Sequence, residues 1–172
     1  MLLQDIIKKA APSMPQLLLD KYCPLLDTLM PRYEIITPLR QRHFLAQLLH
    51  ESGGFRYVRE LASGVAYEGR KDLGNTQQGD GLKFKGRGLI QITGRANYAR
   101  VSRAIFGNDT LLDYPEILEQ PHFAVESACW FWKVNNLNAL ADKNDIEAVT
   151  KRINGGLNGI ADRKKYFEKL TS

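Results

Sequence analysis

Apolar side chains recur at three- and four-residue spacing through most of this chain, and the rhythm fails over one long stretch. From Pro38 onward, Phe44, Leu45, Leu48 and Leu49 share the inner face of an amphipathic helix. Thr37 followed by Pro38 supplies its N-cap and first residue. Pro12 to Met30 carries a second apolar face, built from Leu17, Leu18, Leu19, Tyr22, Leu25, Leu26 and Leu29, with Pro24 expected to kink or break it. Further helices are predicted from Arg95 to about Phe106, from Pro121 to Asn135, from Asp145 to Ile153 and from Ile160 to Leu170. Phe123, Ala124, Ala128, Trp130 and Phe131 read as core packing. Between Ala62 and Gly88 the periodicity gives way to a polar, glycine-punctuated segment, and a loop of that length inside a compact domain usually carries function. Leu89 to Thr93 has weak strand character, which leaves room for a small β-hairpin.

The chain has 172 residues, of which 44% are hydrophobic and 25% charged, so one globular domain spanning 1–172 is expected, mainly α. A formal charge of +5 favours anionic partners: nucleic acid, anionic membranes or bacterial wall polymers. The opening Met1 to Lys9 lacks the basic-then-apolar order of a signal peptide, and no apolar run is long enough to span a bilayer. Accumulation in the cytoplasm, without stable membrane insertion, is therefore expected. Cys23 and Cys129 imply no disulfide framework, and His43, His50 and His122 are too scattered for a metal site.

Three short motifs could carry chemistry. In His50-Glu51-Ser52-Gly53-Gly54, Glu51 falls within about 20° of Phe44 around the helix, at the rim of the core. Desolvation and the negative helix end both favour its protonated form, which is what a general acid requires. Glu60 and Glu68 follow in the loop; either could act as the ionised partner that activates water in inverting glycoside hydrolysis. In Lys85 to Tyr98, glycines allow close approach to a ligand, and Gln91, Thr93 and Asn97 offer neutral groups suited to hydroxyls and amides. Lys83, Lys85, Arg87 and Arg95 leave a basic RNA-binding loop open as a rival, and a non-catalytic wall-binding module is a second. The third motif, Ile153-Asn154-Gly155-Gly156, followed by Arg163, has the form of a helix end with a glycine stop.

Taken in order, these pieces resemble the glycoside hydrolase family 19 chitinases, and most closely the bacteriophage endolysins of that family, over about Arg42 to Arg163. The resemblance implies a lysozyme-like, two-lobed fold with a central substrate cleft. It assigns Glu51 as general acid, Glu60 as general base with Glu68 as rival, and Thr93 to the attacking water. It puts His50, Gln91, Asn97, Tyr98, Asn154 and Arg163 at the substrate cleft and requires no cofactor. The disulfides and chitin-binding module of the plant enzymes are absent, which with the positive charge shifts the expected substrate from chitin to peptidoglycan. An endolysin of this kind is expected to be a monomer that does not bind nucleic acid. It would reach the wall through a membrane opened by a holin-type protein, lysing the host cell. A lytic transglycosylase and a chitinase remain rivals within the enzyme class.

Overall fold

The computed structural model describes residues 2–171 and is mainly helical. Its helices are α1 (Leu3–Ala10), α2 (Gln16–Leu29), α3 (Pro38–Glu51), α4 (Asp80–Lys83), α5 (Arg95–Phe106), α6 (Thr110–Asp113), α7 (Pro121–Val134), α8 (Leu137–Asp142), α9 (Ile146–Asn154) and α10 (Ile160–Lys169). They form two groups. In the first, α3 packs most extensively against α10 and also meets α8 and α9, while α2 lies between α1 and α7. In the second, α5 packs on α6, and a 3-10 turn at Pro115–Glu119 joins α6 back to α7. This is the mainly α, lysozyme-like architecture expected from the sequence.

Helix α3 begins where the Thr37 side chain accepts the Arg40 amide at 3.2 Å, and it buries every residue from His43 to Leu49. Phe44 meets Trp132 of α7 edge-on at 5.2 Å, and the Trp132 indole N–H donates to Asn138 of α8 at 2.8 Å. One aromatic contact and one hydrogen bond thus lock three helices together. At the other end, Ser52 donates to the Leu48 carbonyl at 2.6 Å and accepts the Phe55 amide at 2.8 Å. Gly53, Gly54 and Phe55 all adopt positive φ, which turns the chain sharply out of the helix. For Phe55 that conformation is strained, and burial of its ring against Tyr22 at 5.3 Å offsets the cost.

Helix α2 runs unbroken through Pro24 rather than ending there. An internal proline costs about 3 kcal/mol, whereas each buried large apolar side chain contributes roughly 1.5–3 kcal/mol. Leu19, Tyr22, Cys23, Leu26 and Leu29 are all buried on this helix, so packing wins. Cys23 and Cys129 are free, buried thiols, and burial pushes the Cys23 thiol up to about 11. The expected hairpin is reduced, among the described residues, to isolated bridges between Arg59 and Arg87 and between Arg87 and Ile92. Gln91 at φ +61° reverses the chain immediately before Ile92, and α5 starts at Arg95, so no ladder can lengthen. The 62–88 segment is not wholly irregular: α4 and two 3-10 turns, Val65–Tyr67 and Lys71–Leu73, interrupt it.

His43 is fully buried, with Nε2 3.0 Å from Asn144 Oδ1, its ring 4.4 Å from Phe167, and Nδ1 without a partner. Burial, aided by nearby Arg42, holds its pKa below the ordinary histidine value, while Asn144 acts in the opposite direction. A depressed folded pKa means that its contribution to stability is complete above about pH 6.5 and is lost as the pH falls. The thermal unfolding midpoint should therefore drop between about pH 6.5 and 5, and His43→Gln should flatten that drop. Scanning calorimetry across this range checks it; an unchanged slope in the variant would rule His43 out as the source.

Candidate active site

Beneath the C-terminal end of α3, polar side chains from three helices converge. Arg163 of α10 is only 1% exposed, yet all three of its nitrogens are engaged. Nε donates to the Asn158 carbonyl at 3.1 Å, Nη1 to Gln47 Oε1, and Nη2 to Glu51 Oε1 at 2.7 Å. Gln47, one turn before Glu51 on α3, donates in turn to the Thr150 hydroxyl of α9 at 3.1 Å. Glu51 therefore stands at the core rim as expected, but with a counter-charge beside it that periodicity could not reveal. Its neighbour His50 places Nδ1 2.7 Å from Asp162 of α10. A Cβ at Gly159 would overlap the His50 imidazole, so glycine there lets the α9–α10 turn lie flat on the ring.

Glu60 is held by main chain. Its amide donates to the Gly86 carbonyl at 2.9 Å, the Gly86 amide donates to Glu60 Oε2 at 2.6 Å, and the Tyr67 hydroxyl donates to Oε1 at 3.2 Å. Burial, with Glu60 alongside, raises the Tyr67 phenol above its ordinary value and keeps it a donor. A Cβ at Gly86 would lie 2.7 Å from Gln91 Oε1 and 2.8 Å from Glu60 Oε2. Only a residue without a side chain lets both groups close on one amide. Thr93 Oγ1 donates to the Gln91 carbonyl at 3.0 Å, and Asn97 Nδ2 donates to the Thr93 carbonyl at 2.9 Å. Glu60, Gln91, Thr93 and Asn97 thus form one partly exposed cluster on the loop side, while Glu51, His50 and Arg163 form another on the helix side.

Three candidates sit differently from expectation. Tyr98 is completely buried, so contact with a sugar in the cleft is closed to it; its hydroxyl instead donates to the Lys85 carbonyl at 2.6 Å and meets Arg87 Nη1 at 3.0 Å. Arg163 lies behind Glu51 rather than along an open cleft. Glu68 accepts the Gly79 and Gly81 amides, both at 2.8 Å, which ties the base of the 62–88 loop. Asn154 stands exposed at the end of α9. The basic-loop alternative weakens on the same grounds: Arg87 pairs with Glu119 at 2.9 Å and Arg95 with buried Asp80 at 2.7 Å. No three His, Cys, Asp or Glu side chains among the described residues converge as a metal site.

Chemically, two partly buried carboxyls, each oriented by fixed donors, are groups of the kind that acid–base cleavage of a glycosidic bond needs. The family model of the class I chitinases, glycoside hydrolase family 19, matches residues 46–159, about two thirds of the chain and the whole of both clusters except Arg163. The chain belongs to glycoside hydrolase family 19. A family 19 domain protein of Haemophilus influenzae is 36% identical over 166 residues, covering 78% of this chain and 80% of that protein. An endochitinase of Arabidopsis thaliana is also 36% identical, over 112 residues; the match covers 65% of this chain and 38% of the plant protein. Among solved structures, a bacterial family 19 chitinase superposes with a TM-score of 0.75 at 20% identity, over 98% of this chain and 94% of that one, which shows a shared fold. This family 19 chain is accordingly a glycoside hydrolase.

Gln47, Thr150, Tyr67 and Gly159 are site-supporting residues that sequence reasoning missed. Gln47 alone left a signal, being a polar residue four before Glu51 on the apolar face of α3. Replacing Arg163 by Met should lower the unfolding free energy by roughly 3 kcal/mol, because Glu51 and Gln47 lose their partner in a buried setting. Urea denaturation measures this, and a loss well under 1 kcal/mol would contradict the bridging role. Glu68→Ala should leave the fold intact while speeding proteolytic nicking between residues 62 and 88, read by limited trypsinolysis.

Proposed function

We propose that this family 19 hydrolase is an endolysin that cuts the glycan strands of bacterial peptidoglycan with inversion. The observation that carries the chemistry is the pairing of two carboxylates oriented by fixed donors: Glu51 by Arg163, and Glu60 by the Gly86 amide and Tyr67. Glu51 protonates the leaving glycosidic oxygen as the C–O bond breaks. Water attacks the anomeric carbon from the opposite face and gives a proton to Glu60. Because the Thr93 hydroxyl proton is directed at the Gln91 carbonyl, its lone pairs remain to accept a hydrogen bond from that water. Glu60 is favoured over Glu68 as base because it stands at Gly86 beside Gln91, to which Thr93 is bonded, whereas Glu68 serves to tie the Gly79 and Gly81 amides.

Peptidoglycan is favoured as substrate by the net charge of +5, which complements an anionic wall, and by the similarity to a bacterial relative over most of both chains. No helix among the described residues is long and apolar enough to cross a membrane. We place synthesis in the host cytoplasm and action on the wall after a holin-type protein opens the membrane, with the enzyme working as a monomer. Chitin is the second reading, favoured by the plant endochitinase similarity.

Glu51→Gln and Glu60→Gln should each lower the clearing rate of permeabilised bacteria by about 10²–10⁴-fold while the fold persists, with Glu51→Gln less stable to heat because buried Arg163 loses its counter-charge, and Glu68→Gln should retain most activity. Mass spectrometry of digested peptidoglycan should show reducing ends with one added water per cut. Anhydro-sugar ends would mean a transglycosylase, and full activity in folded Glu51→Gln would remove the acid.

A further inference from the structure

A second concave site lies around the corner from Glu51, between the α1–α2 turn, the glycine turn after α3, and α10. Its walls include Arg56, Lys165, Lys169, Asp162, Tyr166 and Gly54. Three cations from two separate segments face one acid, Asp162, whose Oδ2 lies 2.7 Å from His50 Nδ1, so the lining carries a surplus of positive charge even with that acid counted. Arg56 is also pre-positioned: Nη1 donates to the Gly53 carbonyl at 3.2 Å and Nη2 to the Ser13 carbonyl at 3.3 Å. Carbonyls fix its direction without neutralising its charge, unlike Arg87 and Arg95, whose charges are answered by Glu119 and Asp80. Gly54, at φ +71°, turns the chain beside the guanidinium. The lining therefore combines a guanidinium held by two carbonyls with two ammonium groups one turn apart on α10.

Neutral N-acetylated sugars offer nothing for such a site to pair with. We propose that this pocket binds a carboxylate of the peptide branch carried by the glycan strand, and so selects branched peptidoglycan over unbranched chitin. The inference rests on the peptidoglycan reading for its biological source, while the pocket itself requires only a carboxylate ligand. His50 links the two sites, since its backbone neighbour is Glu51 and its ring partner Asp162 lines the pocket. A branch held here would fix the register of the strand relative to the acid. Guanidinium recognises carboxylate through its planar fork, and the lysines add charge without geometric demand.

The test uses the whole protein and a Lys165→Gln/Lys169→Gln variant, with Arg56→Gln as a second, all at exposed positions. A soluble stem tripeptide bearing free carboxylates is titrated by NMR, with inorganic phosphate as the competing probe. Tripeptide shifts centred on Arg56, Lys165 and Lys169 that vanish in both variants are the expected result. No binding, or phosphate binding of equal strength, would overturn the carboxylate assignment. In parallel, kcat/KM is compared on peptide-bearing strands with free carboxylates and on the same strands with those carboxylates amidated. Wild type should prefer the free-carboxylate form by about fivefold, through KM, and the variants should lose that preference. Equal losses on both substrates would also overturn it. Cleavage of chitin oligomers but of neither peptidoglycan form would defeat the endolysin reading, and the tripeptide titration would still decide the pocket.

Discussion

A guanidinium removed from water must be fully paired, and Arg163 meets that demand with groups from α3 and from the turn before its own helix. The spacing of α3, α9 and α10 follows from it. Gln47 cannot serve both Arg163 and Thr150 unless the three helices stand at one separation, and Glu51 cannot reach Nη2 unless α3 ends where it does. A hydrophobic replacement would pack three helices as well or better, so the ionic arrangement is a poor device for stability alone. Its value lies in direction: apolar contact is indifferent to a rotation of a few degrees, whereas a three-way hydrogen-bonded cation is not. The orientation of the carboxylate at the end of α3 is thereby a property of the helix packing.

The loop side uses a different strategy. With few apolar residues to bury, the segment between Ala62 and Gly88 is organised by carboxylates that accept main-chain amides and by glycines that let backbone meet backbone. Glu68 gathers two amides, Asp80 anchors Arg95, and a Cβ at either Gly64 or Gly81 would run into the other's segment. The basic residues divide along the same line. Those pointing inward, Arg87, Arg95 and Arg163, are structural cations with named acids. Among the described residues, those around the α10 pocket have no such acid to themselves.

Much of this was legible in the sequence. Periodicity located α3, α5, α7, α9 and α10 to within a residue or two, because each carries an apolar stripe, and α3, α5 and α9 add a side-chain cap or a glycine stop. Short helices such as α6 and α8 were missed, as four to six residues cannot complete a readable pattern. Of the kink or break expected at Pro24, the break does not occur, because the proline's local cost is visible in the sequence and the compensating burial is not. At the site, the residue types and their order were readable, and the family resemblance followed from them. What could not be read were partners distant in sequence: Arg163 lies 112 positions from Glu51, and no local pattern encodes that contact. Tyr98 failed for a related reason, since nothing in a motif tells whether a tyrosine faces a cleft or supports it from behind.

The groups that orient the two carboxylates share a property with consequences for how the site behaves in different surroundings. A guanidinium, a peptide amide and a phenol raised above its ordinary range keep their charge from acid to mildly alkaline solution. None of them is a histidine, although His50 sits one residue from Glu51. Across that span these orienting groups keep their protonation state, and within α3 it is the buried His43 that responds to acid. In the endolysin role proposed above, where proton concentration shifts as a membrane fails, the groups that aim the acid and the base would be blind to the gradient that collapses around them.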